Sequence, residues 1–238
     1  MNYTAKLVKN GNIKIGNSMW SWNKLAGAGE ISGCTGSCGK HCKGCYDPEN
    51  PRKSPCYVFK SYVQYGWDKS TVVKSHVQNT RIMREDPKQA FKEINLQIAR
   101  AKKKPSAIRI HASGELESAT ELRGWVDVAK NHPGIMFYLY TKNYEAVDKV
   151  LNKEKELPKN FFINISIWHN IGIKCYEKWK QIKNIRAFVY DDGVELKVNP
   201  DCYCPAYDEK GKLHHDITCD KCKICFQEKA KICACYAH

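Results

Sequence analysis

AIRIHASGELES at residues 107–118, IMFYLYTKN at 135–143 and FFINISIW at 161–168 are the stretches that decide the fold. Residues 107–112, bounded by Pro105 and by Ser113-Gly114, read as a strand, and so do residues 135–140 and Phe161–Ile167. The near-continuous apolar runs FYLY and FFINISIW suit strands buried on both faces. Between the strands, Leu122, Trp125, Val126 and Val128, and then Val147, Val150 and Leu151, recur at helical spacing. A weaker helix over residues 176–182 leads to predicted strands at 185–190 and 194–198. Upstream, Val72, Val73 and Val77 mark one helix, and Pro87 opens a second carrying Phe91, Ile94 and Ile98. Strands alternating with helices at this spacing predict an α/β fold whose strands pair in parallel through right-handed crossovers.

The 238 residues suffice for one α/β domain with a small appended module. No stretch approaches the run of about 18 apolar residues that a membrane helix needs. Nothing in residues 1–11 resembles a secretory leader, so a soluble, cytoplasmic protein is expected. The formal net charge of +14 fits either a polyanionic partner such as nucleic acid, bound by counterion release, or solvated helix faces around residues 101–104 and 174–186.

Thirteen cysteines are an odd number, so complete internal pairing would leave one over. Four fall between positions 34 and 45 and seven between 202 and 235, with Cys56 and Cys175 outside both groups. Tight groups of this kind point to metal, because thiolates three or four residues apart reach one centre without bending the fold. Cys38, Cys42 and Cys45 form C-x3-C-x2-C, followed by Tyr46, inside a Gly-rich loop. Three thiolates can hold three irons of a [4Fe-4S] cube and leave the fourth open to a bound molecule. Cys34 with Cys42 and Cys45 gives the alternative C-x7-C-x2-C, and a closed zinc site using all four thiols is the competing reading.

The C-x3-C-x2-C-Tyr arrangement resembles the signature of the radical S-adenosylmethionine superfamily. The resemblance implies a partial (β/α)6 TIM-like barrel over residues 1–200. In such a barrel the [4Fe-4S] cluster and S-adenosylmethionine together generate a 5′-deoxyadenosyl radical, with electrons from a reductant such as flavodoxin or ferredoxin. Ser113-Gly114-Glu115 is similar to the superfamily's small-Gly-Glu motif, which binds the cofactor's amino group. Thr141-Lys142 resembles the spore photoproduct lyase pattern, which implies that Lys142 reaches the cofactor carboxylate. Asn164 and Ser166, two apart and so on one face, would by the same resemblance turn toward ribose or carboxylate. The likeness covers residues 31–200, and the chain also looks like small uncharacterised bacteriophage gene products with a Cys-rich tail. It departs at the start, where no clear first barrel strand precedes the cysteine loop.

Residues 201–238 read as a Cys-rich extension. Cys219, Cys222 and Cys225 form C-x2-C-x2-C, Cys204 would close the set, and Cys202, Cys233 and Cys235 stay unassigned. A second [4Fe-4S] cluster or zinc, the latter with His214 and His215 at hand, would staple a tail too poor in apolar residues to fold alone. A second class of function stays open: a non-catalytic, zinc-stabilised nucleic-acid-binding protein. It is supported by charge and cysteine spacing, but it gives no reason for the strand-end motifs.

Overall fold

The computed structural model describes residues 3–9, 14–42, 56–64, 66, 69–191, 193, 195–208, 210, 214, 216–227 and 231–236. In chain order these form β1 (Met19–Trp22), β2 (Glu30–Ile31), β3 (Cys34–Thr35), α1 (Tyr57–Gln64), α2 (Thr71–Glu85), α3 (Pro87–Ala99), β4 (Ala107–Ile110) and α4 (Ala119–Asn131). There follow β5 (Met136–Thr141), α5 (Tyr144–Glu154), β6 (Phe161–Ile167), α6 (Ile173–Trp179), β7 (Ile185–Asp191), the single turn α7 (Cys219–Cys222) and β8 (Ile232–Tyr236).

The helices start where the sequence supplies caps. Ser70 accepts from Val72 N, Ser118 from Glu121 N and Asn143 from Ala146 N, each satisfying an amide that has no partner within its helix. Asp86 closes α2 and caps α3, with Pro87 at the first position of the new helix, so two helices meet at one residue.

Six strands form one sheet in the order β1-β4-β5-β6-β7-β8, every neighbouring pair parallel. Alternation along the strands divides its residues. Ile108, Ile110, Phe137, Leu139, Ile163, Ile165, Ala187 and Val189 pack in one core with Ile94, Ile98, Leu122, Trp125, Val147 and Val150 of the helices. The opposite parity carries Met19, Ala107, Tyr138 and Phe162, which pack with Ile15 and Phe226. One face is therefore apolar and covered by helices, while the other carries aromatic, cationic and thiol side chains.

Three expectations change. A strand does precede the cysteine loop: β1 pairs with β4, Met19 opposite Ala107 and Trp22 opposite Ile110. Residues 195–198 are not a strand. A parallel neighbour needs a crossover, and the few residues between 191 and 194 are too short to make one. The crossover is instead made by the cysteine-rich segment, so β8 is the sixth strand, Ala187 opposite Ile232 and Asp191 opposite Tyr236. The tail is thus built into the sheet, and a boundary at residue 200 separates two hydrogen-bonded strands. Among the described residues no helix is long and apolar enough to cross a membrane.

Candidate active site

A cavity of about 260 Å³ opens at the C-terminal ends of the parallel strands. In open parallel sheets this is where ligands bind, because the loops there converge from distant parts of the sequence. Its wall takes Ala26 after β1, Arg109 and residues 111–115 around the end of β4, Tyr140 and Lys142 at the end of β5, Ser166 to Trp168 at the end of β6, Phe188 and Tyr190 from β7, and Cys235 from β8. Cys38, Cys42 and Cys56 complete it from the cysteine loop and the segment that follows.

The cysteine loop is anchored by its backbone. Ser37 N donates to Leu25 O (2.8 Å), Cys38 N to Gly27 O (3.0 Å) and Gly36 N to Gly29 O (2.8 Å). A Cβ on Gly36 would lie 2.3 Å from Gly27 O, so only glycine lets the two segments run this close. Gly27 N donates to Cys38 Sγ at 3.3 Å, an amide aimed at the sulfur. The Cys38 thiol is held well above its ordinary range by its hydrogen bond with Cys42 and by burial. Cys45 lies outside the described residues. Cys34 is elsewhere: buried in the β2–β3 hairpin, its thiol donates to Thr35 O, and Arg84 Nη1 stands 3.9 Å from Sγ. It does not line the cavity, whereas Cys38 and Cys42 do.

Ser113, Gly114 and Glu115 hold this loop against the sheet. Ser37 Oγ accepts from Glu115 N (3.0 Å), and Ser113 Oγ donates to Lys24 O (2.9 Å). Gly114 has φ +82°, and a Cβ there would meet Ser37 Oγ at 2.6 Å and Lys24 O at 2.9 Å. The Glu115 carboxylate accepts from Leu116 N (2.7 Å), Thr141 Oγ1 (2.7 Å) and Lys142 N (2.9 Å). A carboxylate offers about four acceptor sites, so these three donors leave roughly one for a ligand. Lys142 Nζ lies over the Trp168 ring, 5.5 Å from its centroid. Ser166 lines the cavity, but Asn164, on the same face, lies fully buried below it, with Nδ2 donating to Leu139 O (3.1 Å).

Two buried networks under the site have no signature in the sequence. Lys24, with no exposed surface, binds Glu121 (2.8 Å) and Glu117 (3.0 Å). His111, at φ +56°, places Nε2 3.0 Å from Glu121 Oε1, off the hydrogen-bonding direction. Burial would push the Glu121 carboxyl up, but Lys24 and His111 outweigh it and hold it down to about 2. In the second network the Tyr62 hydroxyl meets Ser113 Oγ (2.8 Å), His76 Nδ1 (2.8 Å) and Ala26 N (3.0 Å). Burial pushes His76 down to about 4 and Tyr62 up.

The tail gathers a second thiol group. Cys204, Cys219, Cys222 and Cys225, the four residues expected to act together, line one small cavity of about 30 Å³ with Tyr138, Tyr140 and Phe188. Cys219 N donates to Lys14 O (2.8 Å) and Asp220 N to Ile15 O (3.1 Å), pinning the tail across the sheet. Cys225 shares that cavity with Tyr140, and its thiol is held below the usual range, chiefly by the neighbouring Cys233 side chain. Cys175 sits apart in the helix-side core. His214 lines neither cavity, and His215 lies outside the described residues. Among the described residues no three His, Cys, Asp or Glu side chains converge closely enough to hold an ion as they stand. The donors at both places are sulfurs lining one space, with the Gly27 amide turned to Cys38 Sγ, and sulfur is the donor type that a thiophilic centre would use.

No curated protein and no solved structure is significantly similar to the chain. A family model described as Gene product 88 matches residues 1–235, nearly the whole length, and the chain belongs to the Gene product 88 family.

Proposed function

We propose that this chain is a radical S-adenosylmethionine enzyme built on a partial (β/α)6 barrel. The observation that carries the reading is a convergence. Cys38 and Cys42 share one strand-end cavity with Ser113, Glu115, Lys142 and Ser166, although these residues are spread over nearly 130 positions of sequence. Sequential parallel strands with helices on one face support the barrel assignment.

In this reading Cys38, Cys42 and Cys45 hold a [4Fe-4S] cluster whose open iron, with S-adenosylmethionine bound, supplies reductive carbon–sulfur bond cleavage. The protein's own part is placement. The remaining acceptor site of Glu115 takes the cofactor's ammonium, Lys142 its carboxylate and Ser166 a ribose hydroxyl. Trp168, Tyr190 and Phe188 give the cavity an aromatic wall that excludes water. A low-potential carrier such as flavodoxin or ferredoxin is the electron source, and the +14 charge is compatible with a nucleic acid or nucleotide as substrate, with a protein or peptide equally open.

The test is anaerobic reconstitution with iron and sulfide, followed by dithionite and S-adenosylmethionine. The expected product is 5′-deoxyadenosine, abolished in Cys42→Ala. Stoichiometric zinc, no iron uptake and salt-dependent nucleic-acid binding would replace the enzyme with the zinc-stabilised binding protein, a reading favoured by the four-thiol arrangement in the tail.

A further inference from the structure

The two thiol groups are far apart in sequence, yet their cavities share a wall. Tyr140 of β5 and Phe188 of β7 line both, packed edge to face with ring centroids 4.8 Å apart. On the tail side Tyr140 lines the small cavity together with Cys225, and its hydroxyl is one of the groups that lower that thiol. On the cavity side the Arg109 guanidinium lies over the same ring, 5.0 Å from its centroid. β8 repeats the connection, since its inward thiols alternate: Cys233 meets Cys225, and Cys235 lines the main cavity. A tail that served only as a staple would have no need to place a tyrosine hydroxyl beside a sulfur and that tyrosine's ring in the wall of the active cavity.

We propose that Tyr140 couples the tail thiol site to the main cavity, its hydroxyl donating to the sulfur of Cys225 and its ring, with Phe188, forming the partition between the two compartments. The tail site is then a second centre of one chamber. The proposal rests on the reading that the tail thiols hold a metal centre. Tyr140 acts there through Cys225 and is a positioning residue. A hydrogen bond to a ligating sulfur stabilises the more negatively charged, reduced state, so its removal makes reduction harder.

The experiment uses the full chain reconstituted anaerobically with iron and sulfide. Metal and sulfide content come first, against Cys219→Ala/Cys222→Ala. If that double variant loses no metal, the tail holds none, and the underlying reading fails together with the proposal. With metal present, Tyr140→Phe is expected to keep its metal content and melting temperature while the midpoint potential of the tail centre shifts negative and that of the N-terminal centre stays in place. Phe188→Ala is expected to speed removal of the tail metal by a chelator several-fold, without speeding removal from the N-terminal site. If zinc fills the tail, cobalt(II) in its place carries the same test, read as a shift of the thiolate charge-transfer band in Tyr140→Phe. An unchanged potential or band in Tyr140→Phe, with unchanged chelation in Phe188→Ala, overturns the coupling and leaves the metal reading standing.

Discussion

Thr141 Oγ1 donates to Glu115 Oε1 at 2.7 Å, tying the end of β5 to the loop that follows β4. The sequence points to Glu115 as a ligand-binding acid. The structure shows that it first binds protein: Leu116 N, Thr141 Oγ1 and Lys142 N occupy most of its acceptor capacity. Glu115→Gln keeps the shape but puts an amide donor where the Thr141 hydroxyl or a backbone amide must donate. A loss of about 1–3 kcal/mol in urea unfolding of the metal-free chain is expected, together with loss of S-adenosylmethionine affinity. Thr141→Val, which leaves Glu115 in place, should lose stability with a smaller change in affinity.

Lys24 and Glu121 form a buried pair whose halves cannot be removed singly. Lys24→Met leaves the buried Glu121 carboxylate with only His111 beside it and is expected to cost about 3–5 kcal/mol. Adding Glu121→Gln to that variant should recover much of the loss. Chemical denaturation of the three proteins forms the cycle, and additive losses would show that the pair is uncoupled.

Acid should act in two stages. His76 is lowered from 6.5 to about 4, so its contribution is complete above pH 6.5 and is lost as pH falls toward 4, where the unfolded chain binds a proton that the folded chain refuses. Glu121 is lowered from 4.5 to about 2, so its contribution is complete above pH 4.5 and is lost between there and about pH 2. His76→Gln should flatten the first stage of a stability-versus-pH curve and leave the second.

Gly114→Ala combines a left-handed backbone with overlap against Ser37 Oγ and Lys24 O. Strain of about 1–3 kcal/mol is expected. Because Ser37 Oγ, which accepts from Glu115 N, ties down the cysteine loop, iron uptake at the N-terminal site should fall more than the melting temperature. Iron per chain, measured beside a thermal melt, checks this.

The sequence made β4 to β7 and their helices legible because both sheet faces are buried there and caps such as Ser118 and Asn143 stand at the helix starts. β1 was hidden because Met19–Trp22 reads MWSW, with none of the β-branched residues that mark β4 and β6 as strands. β8 was hidden because Cys233 and Cys235 read as ligands, although their alternation with Ala234 is that of a strand. At the site, Ser113, Glu115, Lys142 and Ser166 came together because each stands at or just beyond the C-terminal end of a strand, and strand ends meet on one rim. Asn164 sits one pleat too low. The pairing of Lys24 with Glu121 could not be foreseen, since it depends on a contact across 97 residues.

β7 and β8 are hydrogen-bonded neighbours, yet residues 192–231 separate them, and Cys204, Cys219, Cys222 and Cys225 all lie in that span. Closing such a span costs configurational entropy. Any ligand gripped by those four thiols shortens the free chain, so by mass action its concentration sets how firmly the sheet's outer strand is docked. Depleting that ligand would therefore loosen one side of the cavity while leaving the helix-covered core intact.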